Sequence, residues 1–148
     1  MIPQHLARRV HRQVRLEYTD TASTLLSEAG LGTADYVIAH RIPKLAKLVL
    51  QLLPAKPAAR LLASAISKNA WTFVGSGTFR VINRWTFEIE NNPLIAGEVS
   101  DEALCAWHVA VFERLYRRLV SDDCRCTETE CAATGEADIC RFEIRRQS

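Results

Sequence analysis

The sequence has no apolar run long enough to cross a bilayer; its longest apolar stretches are broken by Lys44, Lys47, Gln51 and Lys56. The arginine-rich stretch from Met1 to Tyr18 is not followed by an unbroken apolar segment, so a secretory signal is not expected and the chain is read as cytoplasmic. There is no dense basic cluster with aromatic platforms and no nucleic-acid-binding motif, which argues against nucleic acid as a partner. A G-x-G-x-x-G fingerprint is missing too; Gly75-Ser76-Gly77 is too short to cradle a pyrophosphate and is expected to make a tight turn. The cysteines form no paired C-x-x-C knuckles and do not follow a ferredoxin spacing. Their number, five, is odd, and without a signal peptide it argues against a disulfide framework. Glu88, Glu90, Glu128 and Glu130 alternate as solvated strand residues do, and no Ser-His-Asp constellation follows from spacing. Repeats and low-complexity linkers are also missing.

What is present suits one ordinary globular domain over residues 1–148: 48% hydrophobic residues fill a core, and 24% charged residues argue against disorder. The net charge of +2 conceals an asymmetry. Residues 1–68 hold ten Lys/Arg against four Asp/Glu, whereas residues 69–148 hold nine against thirteen. A basic half attracts anions, although interleaved lysines such as Lys44, Lys47, Lys56 and Lys68 also simply solvate amphipathic helices.

Periodicity predicts the elements. Thr19 to Leu31 reads as a helix capped near Thr19, Asp20 or Thr21 and stopped by Gly30 or Gly32. Pro43 opens a second helix whose stripe is Leu45, Leu48, Val49, Leu52 and Leu53; Pro57 fits the first turn of a third, with Leu61, Leu62, Ala65 and Ile66. After Gly75 and Gly77 the period becomes two: Phe79, Val81, Trp85, Phe87 and Ile89 alternate with polar residues, interrupted at Ile82 and Asn83, as in a strand or strand pair. Asn91-Asn92-Pro93 and Gly97 mark turns. Ser100 to Val120 reads as a helix capped by Ser100, with Leu104, His108, Val111, Phe112, Leu115 and Leu119 on its apolar face. Strands at about 125–131 and 139–145 close the chain. This order predicts an α+β fold with helices packed on one face of an antiparallel sheet.

Four cysteines, Cys124, Cys126, Cys131 and Cys140, fall in the last quarter, and Cys105 lies on the preceding helix. A hairpin carrying Cys131 and Cys140 can bring two thiolates together, with Cys105 supplied from a helix above it. Cys126, Glu128 or Glu130 would then complete a tetrahedral zinc site. On an ideal strand Cys126 and Cys131 point to opposite faces, so a bulge or a strand end before Cys131 is required. The alternative is that several of these cysteines are small buried apolar residues.

The stretch from Thr127 to Ile144, an acidic strand, Cys131, a turn with Gly135, Cys140 and a closing strand, resembles the signature of the 4-vinyl reductase domain family. Leu104-Cys105-Ala106-Trp107-His108 is similar to that family's earlier cysteine on a helix, and Ala70 to Gly77 with Asn91 to Leu94 looks most like its bacteriochlorophyll-biosynthesis branch. The resemblance covers nearly the whole chain. It implies an α+β ligand-binding fold related to haem-NO-binding and TRAPP-type domains, often a homodimer, and a zinc site of cysteines with an acidic residue. Cys105, Cys131 and Cys140 are then the leading ligands, with Cys126, Glu128 and Glu130 competing for the remaining position. The chain is shorter than the branch leads one to expect, so the expectation includes a further N-terminal segment.

The resemblance also implies a part in reducing the 4-vinyl (8-vinyl) group of a chlorophyll precursor. That reaction needs a hydride or electron donor, and neither a nucleotide fingerprint nor a redox-inert zinc supplies one. The favoured expectation is therefore a carrier or accessory protein binding a Mg-tetrapyrrole and working beside other bacteriochlorophyll-biosynthesis enzymes at the photosynthetic membrane's periphery. A divinyl pigment vinyl reductase and a ligand-sensing or protein-interaction module are the alternatives. A flat apolar ring with anionic propionates wants aromatic walls and a cation. Trp71, Phe73 and Trp107 are candidate walls, with Phe79 and Trp85 as further aromatics that are more often core. Arg80, Arg84 or Lys68 is the candidate cation, and His108 or His40 the candidate axial ligand.

Overall fold

The computed structural model describes residues 3–147. Among them six helices, α1 (Gln4–Glu17), α2 (Ala22–His40), α3 (Lys44–Leu52), α4 (Ala55–Lys68), α5 (Trp71–Val74) and α6 (Ala106–Leu119), accompany four strands, β1 (Thr78–Asn83), β2 (Thr86–Glu90), β3 (Cys124–Glu130) and β4 (Ile139–Arg146). All strand pairs are antiparallel and the sheet order is β1-β2-β4-β3, giving the α+β architecture expected from the sequence.

Alternation decides which sheet face is covered. Phe87 and Ile89 of β2, Cys140, Phe142 and Ile144 of β4, and Cys124 and Cys126 of β3 are buried beneath the helices. The opposite face carries Glu88, ion-paired with Arg141 and Arg80. The break expected at Ile82 and Asn83 is a register shift between Val81 and Asn83, followed by a turn in which the Trp85 N–H donates to Asn83 Oδ1 at 2.8 Å. Helix α6 lies across the covered face and buries Val111, Phe112, Leu115, Tyr116 and Leu119. On its far side α2 packs against it.

Three sequence expectations need correction. Gly30 does not end a helix; α2 runs on to His40, and Gly30 is buried where α2 and α6 nearly touch. Ser100 does not cap α6: its Oγ accepts from the Glu102 N–H in a local turn, and Cys105 holds the N-cap position. The residues between are used to carry the chain past the β3–β4 connection, where the Ser100 N–H donates to the Ala133 carbonyl at 2.9 Å. Finally, of the stripe expected in the second helix only Leu53, just past the end of α3, packs against the core. Leu45, Leu48, Val49 and Leu52 are exposed, and Leu50, off the stripe, is the buried residue of this helix.

A Cβ at Gly30 would lie 2.5 Å from the Trp107 carbonyl oxygen and 2.9 Å from Ala110 Cβ, whereas one at Gly32 would meet nothing within 4 Å. Gly30→Ala is therefore expected to cost about 1–3 kcal/mol through overpacking, while Gly32→Ala gains about 0.5–1 kcal/mol from helix propensity. Urea unfolding of the two variants reads the contrast; similar effects at both sites would contradict this α2–α6 contact.

Candidate metal centre

Strand β3 keeps Cys124, Cys126 and Glu128 on its inward face until the register against β4 shifts between Glu128 and Glu130. That bulge adds a residue and turns Cys131, just beyond the strand end, towards the same side as Glu128. Residues 132–134 form a 3-10 turn closed by Gly135 at φ 78°, a left-handed conformation suited to glycine, and the chain returns as β4 with Cys140 buried. Cys105 arrives from above at the start of α6.

One ligand atom from each of Cys105, Glu128, Cys131 and Cys140 lies within 4.8 Å of all the others. Cys105 Sγ is 3.5 Å from Cys140 Sγ, close to the sulfur–sulfur edge of about 3.8 Å in a tetrahedron with 2.3 Å zinc–sulfur bonds. Glu128 Oε1 accepts from the Cys105 N–H at 3.0 Å, but its Oε2 is buried without a hydrogen-bond partner. A buried carboxylate oxygen left unpaired beside three thiols is costly for the protein alone and suited to a cation. Donor type, separation and the orphaned oxygen all fit: this set can hold a metal ion, zinc being the ordinary choice for S and O donors in a closed tetrahedral site.

The electrostatics agree. Burial, then the adjoining Cys131 sulfur, pushes the Glu128 carboxyl up to about 8. Hydrogen bonds from Cys105 and Cys140 pull the Cys131 thiol far down, whereas those same bonds to Cys131 and Cys140, with burial, push Cys105 well up. In the protein alone Cys131 is thus the thiol that ionises most readily, and burial disfavours further negative charge on its neighbours. Around it, Asn92 Nδ2 donates to Cys105 Sγ at 3.4 Å, and the positive end of α6 lies at Cys105.

Cys126, expected as a competing ligand, falls outside the cluster. It shares the inward face with Glu128 but sits two residues earlier, about 7 Å along the strand, and its thiol is pushed up by burial and by Glu113. Glu130 is exposed at the strand end. Among the pigment-site candidates, Trp71 opens α5, with its side chain outside the described residues. Phe73 and His108 are buried together, and Trp107 stacks edge-on against His108 at 4.8 Å and against His11 at 5.9 Å. The Phe73 carbonyl lies 2.8 Å from His108 Nε2; as it can only accept, Nε2 carries the proton, and the ring is a satisfied core histidine whose pKa burial lowers to about 4. Arg80 is on the outer sheet face, bound to Glu90 at 2.9 Å and paired with Glu88, so it is not beside these aromatics.

A cavity of about 200 Å³ opens between α2, α4 and α6, walled by Val37, Ile42, Leu62, Ile66, Phe73 and Leu115. Its exposed rim includes Arg41 and Asn69. Sequence reasoning singles out neither residue. Arg41 ends α2 only because that helix continues past Gly30, and no local pattern signals the continuation.

Residues 85–146 match the sequence model of the 4-vinyl reductase domain family. Over 146 residues the chain is 50% identical to the bacteriochlorophyll synthase 23 kDa chain of Cereibacter sphaeroides, spanning 97% of this chain and 70% of that protein. It is 46% identical over 137 residues to the protein of the same name from Rhodobacter capsulatus, spanning 91% and 64%. Among solved structures it is similar to a trafficking protein particle complex subunit 3 from Naegleria fowleri, covalently bound to palmitic acid. The TM-score is 0.61 at 14% identity, covering 99% and 98% of the two chains, a likeness that bears on the fold alone and agrees with the TRAPP-type fold expected.

Two outcomes follow from this geometry. Purified chain is expected to hold about one zinc, with Cys131→Ser and Glu128→Gln losing most of it and Cys126→Ser retaining it; elemental analysis of the folded variants reads the difference, and full occupancy in Cys131→Ser would count against the site. Because the folded pKa of His108 lies below its unfolded value, the unfolded chain binds more protons between pH 6.5 and about 4. Stability is therefore expected to drop as the pH is lowered through that window, by up to about 3 kcal/mol. His108→Gln should flatten the pH dependence, as should His11→Gln, which titrates in the same range; a slope unaltered in His108→Gln would show that His108 is not buried neutral.

Proposed function

As the chain belongs to the 4-vinyl reductase domain family, with the bacteriochlorophyll synthase 23 kDa chains among its relatives, we propose that it is a zinc-stabilised accessory protein of bacteriochlorophyll biosynthesis that binds a tetrapyrrole precursor and presents it to other enzymes of that synthesis. The observation that carries this reading is the 50% identity to a 23 kDa chain across nearly all of this chain, in a fold whose one cysteine–carboxylate cluster among the described residues gathers three buried thiols and a half-buried carboxylate. Zinc held by Cys105, Cys131, Cys140 and Glu128 would join the start of α6 to β3, the 3-10 turn and β4. That is a structural role, since four protein ligands would fill the tetrahedron and leave no open position on the metal.

The cavity supports a limited form of pigment binding. At about 200 Å³ it is below the usual size of a drug-sized ligand site, so it accommodates one edge or a hydrocarbon substituent of the macrocycle, with the remainder lying over the surface. Arg41 at the rim then takes the carboxylate-pairing role that the sequence suggested for Arg80, Arg84 or Lys68. Gly75-Ser76-Gly77 leads from α5 into β1, helix to strand, the reverse of the strand-to-helix order in which a glycine loop presents a helix N-terminus to phosphates. This favours the carrier over the vinyl-reductase reading.

Titration of the zinc-loaded chain with Mg-divinyl and Mg-monovinyl tetrapyrroles, with and without NADPH, tests the proposal. A saturable spectral shift without loss of the vinyl group, weakened about tenfold or more by Arg41→Glu or Leu62→Trp, is the expected result. Conversion to the monovinyl pigment by the pure protein would instead establish the reductase, and no shift at all would favour the interaction module.

A further inference from the structure

Between Asp35 and Glu88 the chain has no acidic residue: residues 36–87 contain eight Lys/Arg and no Asp or Glu. The acids at both boundaries are neutralised, Asp35 by Arg114 at 2.9 Å and Glu88 by Arg80 and Arg141. This segment builds the end of α2, all of α3 and α4, and β1. At its exposed side stands α3, whose Leu45, Leu48, Val49 and Leu52 recur at helical spacing and are 73%, 52%, 44% and 76% exposed. Leu61 of the neighbouring α4 adds a further apolar side chain, 50% exposed. Lys44, Lys56 and Arg60 are exposed on the same two helices. From α3 itself, Gln51 Nε2 donates to the Arg118 carbonyl, which sets another exposed arginine at this edge.

A helix whose apolar stripe faces outward lacks its partner. The charge pattern identifies what that partner is. A second copy of the chain joined face to face would bring this acid-free basic surface against another like it, offering Lys44, Lys56 and Arg60 no acid from residues 36–87, because an isologous interface pairs one patch with itself. A surface that is apolar and carries negative charge at its boundary relieves both problems at once. We propose that α3 and the exposed side of α4 form a docking surface for an anionic lipid bilayer, with Leu45, Leu48, Val49 and Leu52 seated at the acyl boundary and the flanking lysines and Arg60 among the headgroups. This inference is independent of pigment and of zinc, and its test contains no tetrapyrrole.

The test is co-sedimentation of the 148-residue chain with vesicles of phosphatidylglycerol and phosphatidylcholine, and with vesicles of phosphatidylcholine alone. Binding is expected to the anionic vesicles only, and to weaken on raising salt to about 0.5 M. Leu45→Ser with Leu52→Ser should reduce partitioning about tenfold or more, and Lys44→Gln with Lys56→Gln by a similar factor. All four side chains are exposed, so thermal midpoints should be unchanged, and the single variant Leu45→Ser repeats the test with minimal disturbance. Sedimentation indifferent to lipid charge, partitioning unaltered in the variants, or no partitioning at all would overturn the proposal. So would a dimer in light scattering that the leucine substitutions dissociate, since the stripe would then belong to self-association.

Discussion

The arrangement depends on where Phe112 sits. Its ring is fully buried at the centre of α6 and is in contact with Phe73 from α5, Phe79 from β1, Phe87 from β2, Phe142 from β4 and His108 one turn earlier. Edge and tilted pairs among such rings add to the area they remove from water. Because these partners come from the middle and the C-terminal part of the sequence, seating this one side chain sets the helix's height and rotation over the sheet. Both ends of α6 inherit that placement. At the C-terminal end Tyr116 reaches the Arg84 carbonyl in the β1–β2 turn at 2.7 Å, and at the N-terminal end Cys105 is delivered to the β3–β4 hairpin.

The cysteine–carboxylate cluster is therefore a consequence of core packing as much as of the hairpin. Cys131 and Cys140 are brought together locally, by a bulge, a 3-10 turn and a left-handed Gly135, with little dependence on the rest of the chain. Cys105 and the orientation of Glu128 depend on α6, since the Cys105 N–H holds Glu128 Oε1 and so directs Oε2 inward. An ion bound there couples the local hairpin to the global core and links metal affinity to folding.

Much of this is legible in the sequence because it rests on local rules. Strand alternation places Phe87 and Ile89 inside, the proline-led starts of α3 and α4 agree within two residues, and cysteine spacing singles out Cys105, Cys131 and Cys140. The errors arise where one residue type serves two purposes. Glycine ends helices and also lets helices approach, and only the tertiary contact at Trp107 shows which applies to Gly30. Alternation makes a bulge the condition for bringing Cys126 and Cys131 to one face, but does not say where it falls. Falling after Glu128, it recruits the carboxylate and leaves Cys126 behind. The pigment candidates spread because aromatic and basic residues carry no directional pattern: Arg80 belongs to the outer sheet face and His108 to the core.

The stripe of α3 shows why a hydrophobic pattern specifies a helix but not its surroundings. Four apolar residues at that spacing would ordinarily be counted as core, yet the nine-residue helix is held by Leu50 and by its contacts with α4 and α6. So short a helix is marginal by itself. Leaving its best apolar face in water forgoes roughly 25 cal/mol per Å² of stabilisation that inward rotation would have gained. Rotation would, however, carry the exposed cation Lys44 towards the interior, where no acid between Asp35 and Glu88 is available to pair with it. The absence of acidic residues and the outward stripe are thus connected at Lys44, which flanks the stripe and, with no buried counter-charge available, stays in solvent with it, whereas Lys47 lies half-buried on the opposite side of the helix near Leu50.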